Sequence, residues 1–387
     1  MFSSRFHWDA PHNRLTELLA AKRARGARIL DLTQSNPTRA GFVYPDAMRR
    51  AFDSPGVLRY DPAPAGAMAA RLAVVEYYRQ RGHPVEPERI LLTASTSEGY
   101  SYLFKLLADP GDEVLVPQPS YPLFEYLARM ESIVVRQYPL DYHGGWTMDM
   151  EALSRAITER TRAVVLVNPN NPTGSYVKRG ELEALARIAA ARGIALISDE
   201  VFADYAFAAD SRRVTSLAGV EECAAFAMSG LSKIAGLPQM KLGWIVVAGP
   251  AGARAEAMER LEWIADTYLS VGTPVQCAAA QLLEYGVEVQ RQIRERTAAN
   301  LTFARQTLEG SALETLAVEG GWSVTIRVPR VRTEEEWCLE LLERESVLVQ
   351  PGYFYDFEDE AFLIASLLTE PAEFQEGIAR MVSSSAG

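Results

Sequence analysis

The sequence predicts an α/β protein with a large domain, its mainly parallel sheet flanked by helices, and a smaller α+β domain formed by the two chain ends. Three observations carry this. The 387 residues exceed one typical core and call for two domains. Between residues 90 and 250, short continuously apolar segments alternate with helical ones, the pattern of a parallel sheet covered on both faces. The stretch beyond residue 290 has its own strand and helix signals and is the remaining partner for the first 45 residues. The expected division is therefore 46–290 for the large domain, with 1–45 and 291–387 forming the small one.

Taken in order, residues 13–25 read as a basic amphipathic helix ended by Gly26. Residues 29–32 lead into the turn-rich Thr33-Gln-Ser-Asn-Pro-Thr38, and Tyr60-Asp-Pro-Ala-Pro-Ala-Gly66 is a second Pro/Gly loop before a helix near 68–81. Strands are predicted at 90–93, 113–117, 133–138, 163–167, 195–198, 224–228 and 242–248, with helices near 97–108, 121–130, 149–158 and 180–192. A helical pattern covers 253–308. Strands near 322–328 and 346–349 and helices near 333–344 and 371–382 complete the chain.

Composition narrows the function. With 48% hydrophobic and 23% charged residues, the chain reads as globular and soluble. A net charge of −11 argues against nucleic acid or an anionic membrane as partner. The N-terminus, Met1-Phe-Ser-Ser-Arg-Phe-His-Trp-Asp9, has no signal-peptide core, and a cytoplasmic location is expected. Cys223, Cys277 and Cys338 form neither a disulfide framework nor a metal quartet, and His7, His12, His83 and His143 are scattered, so no metal is expected.

The chain is organised around Phe226–Trp244, where Lys233 sits among Gly230, Leu231, Ser232, Ile234 and Ala235. An ammonium in such a place is costly to bury, and desolvation lowers its pKa and makes the amine nucleophilic. Further polar groups fall just after the predicted strands, where an open parallel sheet places its ligand. Ala94-Ser-Thr-Ser-Glu-Gly99 opens a helix; Ser95 with Glu98 fits a capping box, and Thr96 and Ser97 offer hydroxyls and amides to a phosphate. Tyr121 follows the second strand and Asn168-Pro-Asn-Asn-Pro-Thr-Gly174 the fourth. Asp199-Glu200 ends an almost wholly apolar strand, where a carboxylate needs a cationic or hydrogen-bonding partner.

Asn168–Gly174, Asp199-Glu-Val201 and Gly230-Leu-Ser-Lys233, in this order and spacing, resemble the class I/II aminotransferases of pyridoxal-phosphate fold type I, over residues 28–382. The resemblance implies pyridoxal 5'-phosphate bound as a Schiff base on Lys233, which then moves the proton during catalysis. It implies Asp199 on the pyridine nitrogen, Asn171 on the ring phenolate and Tyr121 stacked on the ring. Thr96, Ser97, Ser232 and Lys241 would hold the phosphate, joined by Tyr60 from a neighbouring subunit of a homodimer. The expected activity is amino transfer between an amino donor and a 2-oxo acid. A lyase step such as β-elimination, or a non-enzymatic binding or regulatory role, is the alternative.

Departures from the pattern are specific. Phe202 replaces the usual tyrosine, Gly230 a phosphate-binding serine, and Lys241 an arginine. Pro351-Gly-Tyr-Phe-Tyr-Asp-Phe357 matches the family's loop, but the following Phe362–Leu368 lacks the arginine that clamps a substrate carboxylate. Arg327, on the same strand face as Ser323 and Thr325, is the candidate replacement, its simplest reading being a solvated strand arginine.

Overall fold

The computed structural model describes residues 2–6, 13–269 and 271–385. His7, His12 and Met1 lie outside them. The large domain is built on an eight-stranded sheet whose order runs Ile90–Thr93, Gly243–Ala248, Ala225–Gly230, Ala195–Asp199, Thr161–Val167, Glu113–Gln118, Val134–Tyr142, Trp146–Met148. Pairings among its central strands are parallel. Gly243–Ala248 runs antiparallel to both neighbours, and Trp146–Met148 is an antiparallel edge.

Successive side chains of a strand go to opposite faces, and both faces are apolar here. Leu92, Leu166 and Trp244 enter one core, whereas Leu91, Val165 and Phe226 enter the other. That double burial is why these strands carry almost no polar residue until their carboxyl ends. Helices Thr96–Leu107, Arg179–Arg192, Ala251–Tyr268 and Met68–Gln80 cover the faces.

The small domain joins the chain ends directly. Leu30–Asp31 pairs in parallel with Val347–Leu348, and Leu15, Leu30 and Leu32 share a core with Val347, Phe374 and Ile378. The rest of this domain is a four-stranded antiparallel sheet ordered Glu314–Thr315, Ser323–Arg327, Phe362–Ser366, Gln350–Pro351.

Two differences from the sequence expectation have local causes. The single helical pattern at 253–308 is two helices, Ala251–Tyr268 and Thr273–Leu308, because Leu269 turns to a positive φ of 68° and Pro274 lies in the second helix's first turn. The 36-residue second helix runs uninterrupted through position 290/291. The helix near 333–344 is regular only over Glu334–Glu340, after which Leu341–Glu345 widens to a π turn. No helix among the described residues is long and apolar enough to cross a membrane.

Candidate active site

The carboxyl ends of the central strands open on a cavity of about 450 Å³ between the two sheets. Thr96, Ser97, Tyr121, Asn171, Asp199, Ser232, Lys233 and Lys241 all line it. Tyr60 does not: it stands 70% exposed on its loop, outside the cavity of its own chain.

Each side chain is placed by its local structure. Thr96 and Ser97 begin the 12-residue helix Thr96–Leu107, capped by the Ser95 hydroxyl, which accepts from the Glu98 amide at 3.2 Å. Glu98 turns back to accept from the Ala94 amide at 2.6 Å. The cap therefore exists, and it leaves the Thr96 and Ser97 hydroxyls on the cavity side.

The heptapeptide divides its labour. Asn168 is buried, donating to the Val214 carbonyl and accepting from the Val177 amide, and Asn170 is buried against Pro119 and Thr173. Gly174 has φ +69°, and a Cβ there would meet Gly320 O and the Val318 side chain. Asn171 alone faces the cavity, where Ser323 Oγ donates to its Oδ1 at 3.4 Å. The motif is thus mainly a turn that presents one amide.

Asp199 accepts from the Val201 amide at 3.2 Å and from the Tyr100 hydroxyl at 3.4 Å, and no protein cation bonds it among the described residues. Burial raises its pKa to about 6, against the lowering effect of those two donors and of Lys233. Glu200, next in sequence, points elsewhere: it accepts from the Leu217 amide at 2.8 Å, and burial raises it to about 7.

Lys233 lies in the short helix Leu231–Ile234, with Nζ 5.2 Å from the Trp322 ring centroid and 5.6 Å from that of Phe202. Desolvation lowers its pKa, opposed by the nearby Asp199 charge. Its backbone is fixed from beneath. Tyr205 donates to the Lys233 carbonyl at 2.6 Å, and Gln290 Nε2 bridges the Ile234 carbonyl and Asp204 Oδ2. Arg81 in turn clamps Asp204 with two bonds of 2.6 and 2.8 Å. None of these supporting residues is signalled by a local motif.

Gly230 has a packing cause. A Cβ there would lie 2.8 Å from the Leu242 carbonyl and 2.9 Å from Gly243 Cα, so no side chain fits without a backbone shift. Lys241 sits at the cavity rim with a left-handed φ of 53°.

The candidate Arg327 is corrected by the structure. It shares a strand face with Ser323 and Thr325, but the cavity ends before it. Phe362, its partner in register, packs with Trp146 and Phe357, and Arg327 instead reaches over the Tyr142 ring to pair with Glu314 at 3.0 Å. The sequence reading also missed Ser35, Gln350, Tyr355 and Trp322, all cavity-lining. A polar turn after the first strand and the position of the Pro-Gly loop were their only signals.

This donor set suits a phosphorylated heteroaromatic aldehyde. An amine of lowered pKa can condense with a carbonyl, and a buried carboxylate without a cation suits a protonated ring nitrogen. A helix N-terminus with two hydroxyls and a lysine nearby suits a phosphate. The residues therefore fit pyridoxal phosphate.

Comparison with known proteins agrees. The family described as aminotransferase class I and II matches residues 27–380. The chain is 32% identical over 228 residues to the S-alkyl-thiohydroximate lyase SUR1 of Arabidopsis thaliana, covering 58% of this chain and 49% of that protein. It is 30% identical over 259 residues to an alanine aminotransferase of Mycobacterium tuberculosis, covering 66% and 60%. The matched stretch thus spans about half to three fifths of these curated relatives' length. An alanine aminotransferase structure from Pyrococcus furiosus superposes over 100% of both chains, with a TM-score of 0.87 at 25% identity. The chain belongs to the class I and II aminotransferase family, whose members use pyridoxal 5'-phosphate.

Proposed function

We propose that this protein transfers an amino group between an amino donor and a 2-oxo acid, with pyridoxal phosphate carried as a Schiff base on Lys233. The observation that supports this most is the desolvated Lys233 amine sharing one cavity with the cation-free Asp199 carboxylate. When bound, the cofactor supplies an electron sink for the carbon bearing the reacting amine.

This chain's residues do the rest. Asp199 holds a proton on the ring nitrogen by its negative charge, and Tyr100 and the Val201 amide orient that carboxylate. Asn171 donates to the ring oxygen from its Nδ2, its Oδ1 being occupied by Ser323. Tyr121 would lie against the ring face, and Thr96, Ser97, Ser232 and Lys241 would hold the phosphate, Lys241 as a point charge rather than a fork. Once displaced by substrate, Lys233 Nζ takes and returns the proton of the reacting carbon. Phe202 and Trp322 keep water from that amine. Tyr60 of the partner subunit completes the phosphate site in a cytoplasmic homodimer.

Borohydride reduction of the yellow protein followed by peptide mass spectrometry tests the assignment. The adduct is expected on Lys233, and an adduct on another lysine, or none after loading with cofactor, overturns it. A second reading, a lyase step on the same site, is favoured by the 32% identity to a lyase. The two are separated by product: amino transfer converts the cofactor to its amine form, whereas elimination releases ammonia with an oxo acid.

A further inference from the structure

The wall of the cavity that faces Lys233 comes from the small antiparallel sheet, and it is uncharged. Cross-strand register puts Ser323 opposite Ser366, and Ile364 between Thr325 and Gln350, so these five share one face. Among the described lining residues the only ammonium or guanidinium groups are Lys233 and Lys241, and Asp199 is the only carboxylate. Two guanidiniums of the small-domain side are committed elsewhere, Arg327 to Glu314 and Arg296 to the carbonyls of Ala40 and Leu368, and Arg39, which follows the Thr33–Thr38 turn, does not line the cavity. The wall is nevertheless polar. Tyr355 donates to Gln350 Oε1 at 2.5 Å, which leaves the Gln350 amide nitrogen as a donor.

In the proposed reading, both cations serve the cofactor: Lys233 becomes its linking nitrogen, and Lys241 faces a phosphate whose charge exceeds its own. A carboxylate on the substrate carbon that bears the amine would then meet no counter-charge from the described lining residues. Leaving such a group unpaired in a partly dry site costs about two to four orders of magnitude in affinity. A hydroxyl or carbonyl meets no such penalty and can accept from the Gln350 amide nitrogen, the Ser323 and Ser366 hydroxyls already donating to Asn171 and to the Gln34 carbonyl.

We propose that the amino donor of this protein carries no carboxylate on its amine-bearing carbon and presents a neutral hydrogen-bonding group to the Gln350–Ile364–Ser366 wall; a 2-oxo acid acceptor, whose carboxylate sits on the corresponding carbon, meets the same penalty and binds correspondingly weakly in the return half-reaction. This rests on the Schiff-base reading of Lys233 and goes beyond it by naming the substrate class.

The test uses two aminooxy reagents that differ in one group, aminooxyacetate and O-ethylhydroxylamine. Each displaces the Lys233 amine from the cofactor carbonyl carbon without oxidation or reduction, whatever the natural substrate. Rates on the cofactor-loaded enzyme, followed by absorbance and divided by the rates on free pyridoxal phosphate, report how the wall receives a carboxylate. The neutral reagent is expected to react faster by about tenfold or more after this correction. Ile364→Arg, which places a guanidinium on the wall, should reduce that ratio by about tenfold. The wild-type ratio decides by itself if the variant does not fold. Equal rates, or a faster aminooxyacetate, overturn the inference while leaving a borohydride adduct on Lys233 intact. No absorbance change with either reagent, together with an unmodified Lys233 after borohydride, overturns the Schiff-base reading and this inference with it.

Discussion

The two walls of the cavity belong to different sheets and obey different chemistry. On the large-sheet side, Asp199, Lys233 and Lys241 bring three charges to the ends of buried apolar strands, together with the hydroxyls and amides of a helix N-terminus. On the small-sheet side, Ser323, Ile364, Ser366 and Gln350 bring none. The charged wall carries groups whose costs cancel only when a ligand of complementary charge is present. Asp199 is raised to about 6 and Lys233 lowered for the same reason, scarcity of water. The neutral wall has no such stored imbalance, so its demand on a ligand is hydrogen bonding rather than charge. In the proposed reading, one wall selects a cofactor and the other sorts substrates.

The sharpest way to break this division is at the charged wall. Lys233→Ala should abolish the borohydride-trapped adduct and lower turnover by about 10²–10⁴-fold or more. A trapped adduct with near-normal turnover would move the chemistry to another lysine.

Asp199→Asn should lower turnover by about 10²–10³-fold while the cofactor still binds. It should also stabilise the cofactor-free protein, and the sign depends on pH. Because the folded pKa is raised from 3.8 to about 6, the folded carboxyl keeps its proton where the unfolded chain has lost it. Stability therefore falls as pH rises through that window, and the penalty is complete above it. Denaturant unfolding should show no gain for Asn at pH 3, and a gain of roughly 1–3 kcal/mol at pH 8. Equal gains at both pH values would mean that packing, not charge, is responsible.

Gly230→Ser sharpens the comparison from the backbone side. A serine there would add a hydroxyl toward the phosphate site, but the added Cβ must displace the Leu242–Gly243 backbone. The expected result is a stability loss of roughly 1–3 kcal/mol with no tighter cofactor binding. A stable variant that binds cofactor more tightly would show that this backbone yields easily.

The smallest effect belongs to Phe202. A phenol placed there would donate to the cofactor's ring oxygen and favour its deprotonated form. Phe202→Tyr should shift the absorbance titration of the bound cofactor to lower pH, by up to about one unit. An unmoved or upward-moved midpoint would place this ring away from the oxygen.

The charged wall was legible in the sequence because each of its residues interrupts a pattern. Asp199 ends an apolar strand, Lys233 sits in a small-residue turn, and Thr96 and Ser97 open a helix, so the alternation of strand and helix points to them. The neutral wall interrupts nothing. Ile364 is one more apolar residue in an apolar strand, and Gln350 and Tyr355 reach the cavity only because Gln350–Pro351 pairs with Phe362–Ser366. Arg327 shows the limit of strand periodicity. Its face was read correctly, but where the cavity stops along that face is set by Trp146, which arrives from the far edge of the large sheet. The support under Lys233 was equally hidden, since the adjacent Asp204 and Tyr205 and the distant Gln290 converge on it from two separate segments.

The helix Thr273–Leu308 ties these walls together. Its 36 residues extend about 54 Å, with Val289 and Ile293 set in the large-domain core and Leu301, Ala304 and Leu308 in the small-domain core. Such a rod acts as a lever with its root in one domain and its load in the other. A tilt of a few degrees at the rooted end is magnified along the shaft. Gln290, bound to both Asp204 and the backbone beside Lys233, is a fastening at that root. A load on the backbone beside Lys233 is thereby shared with a beam seated in both cores.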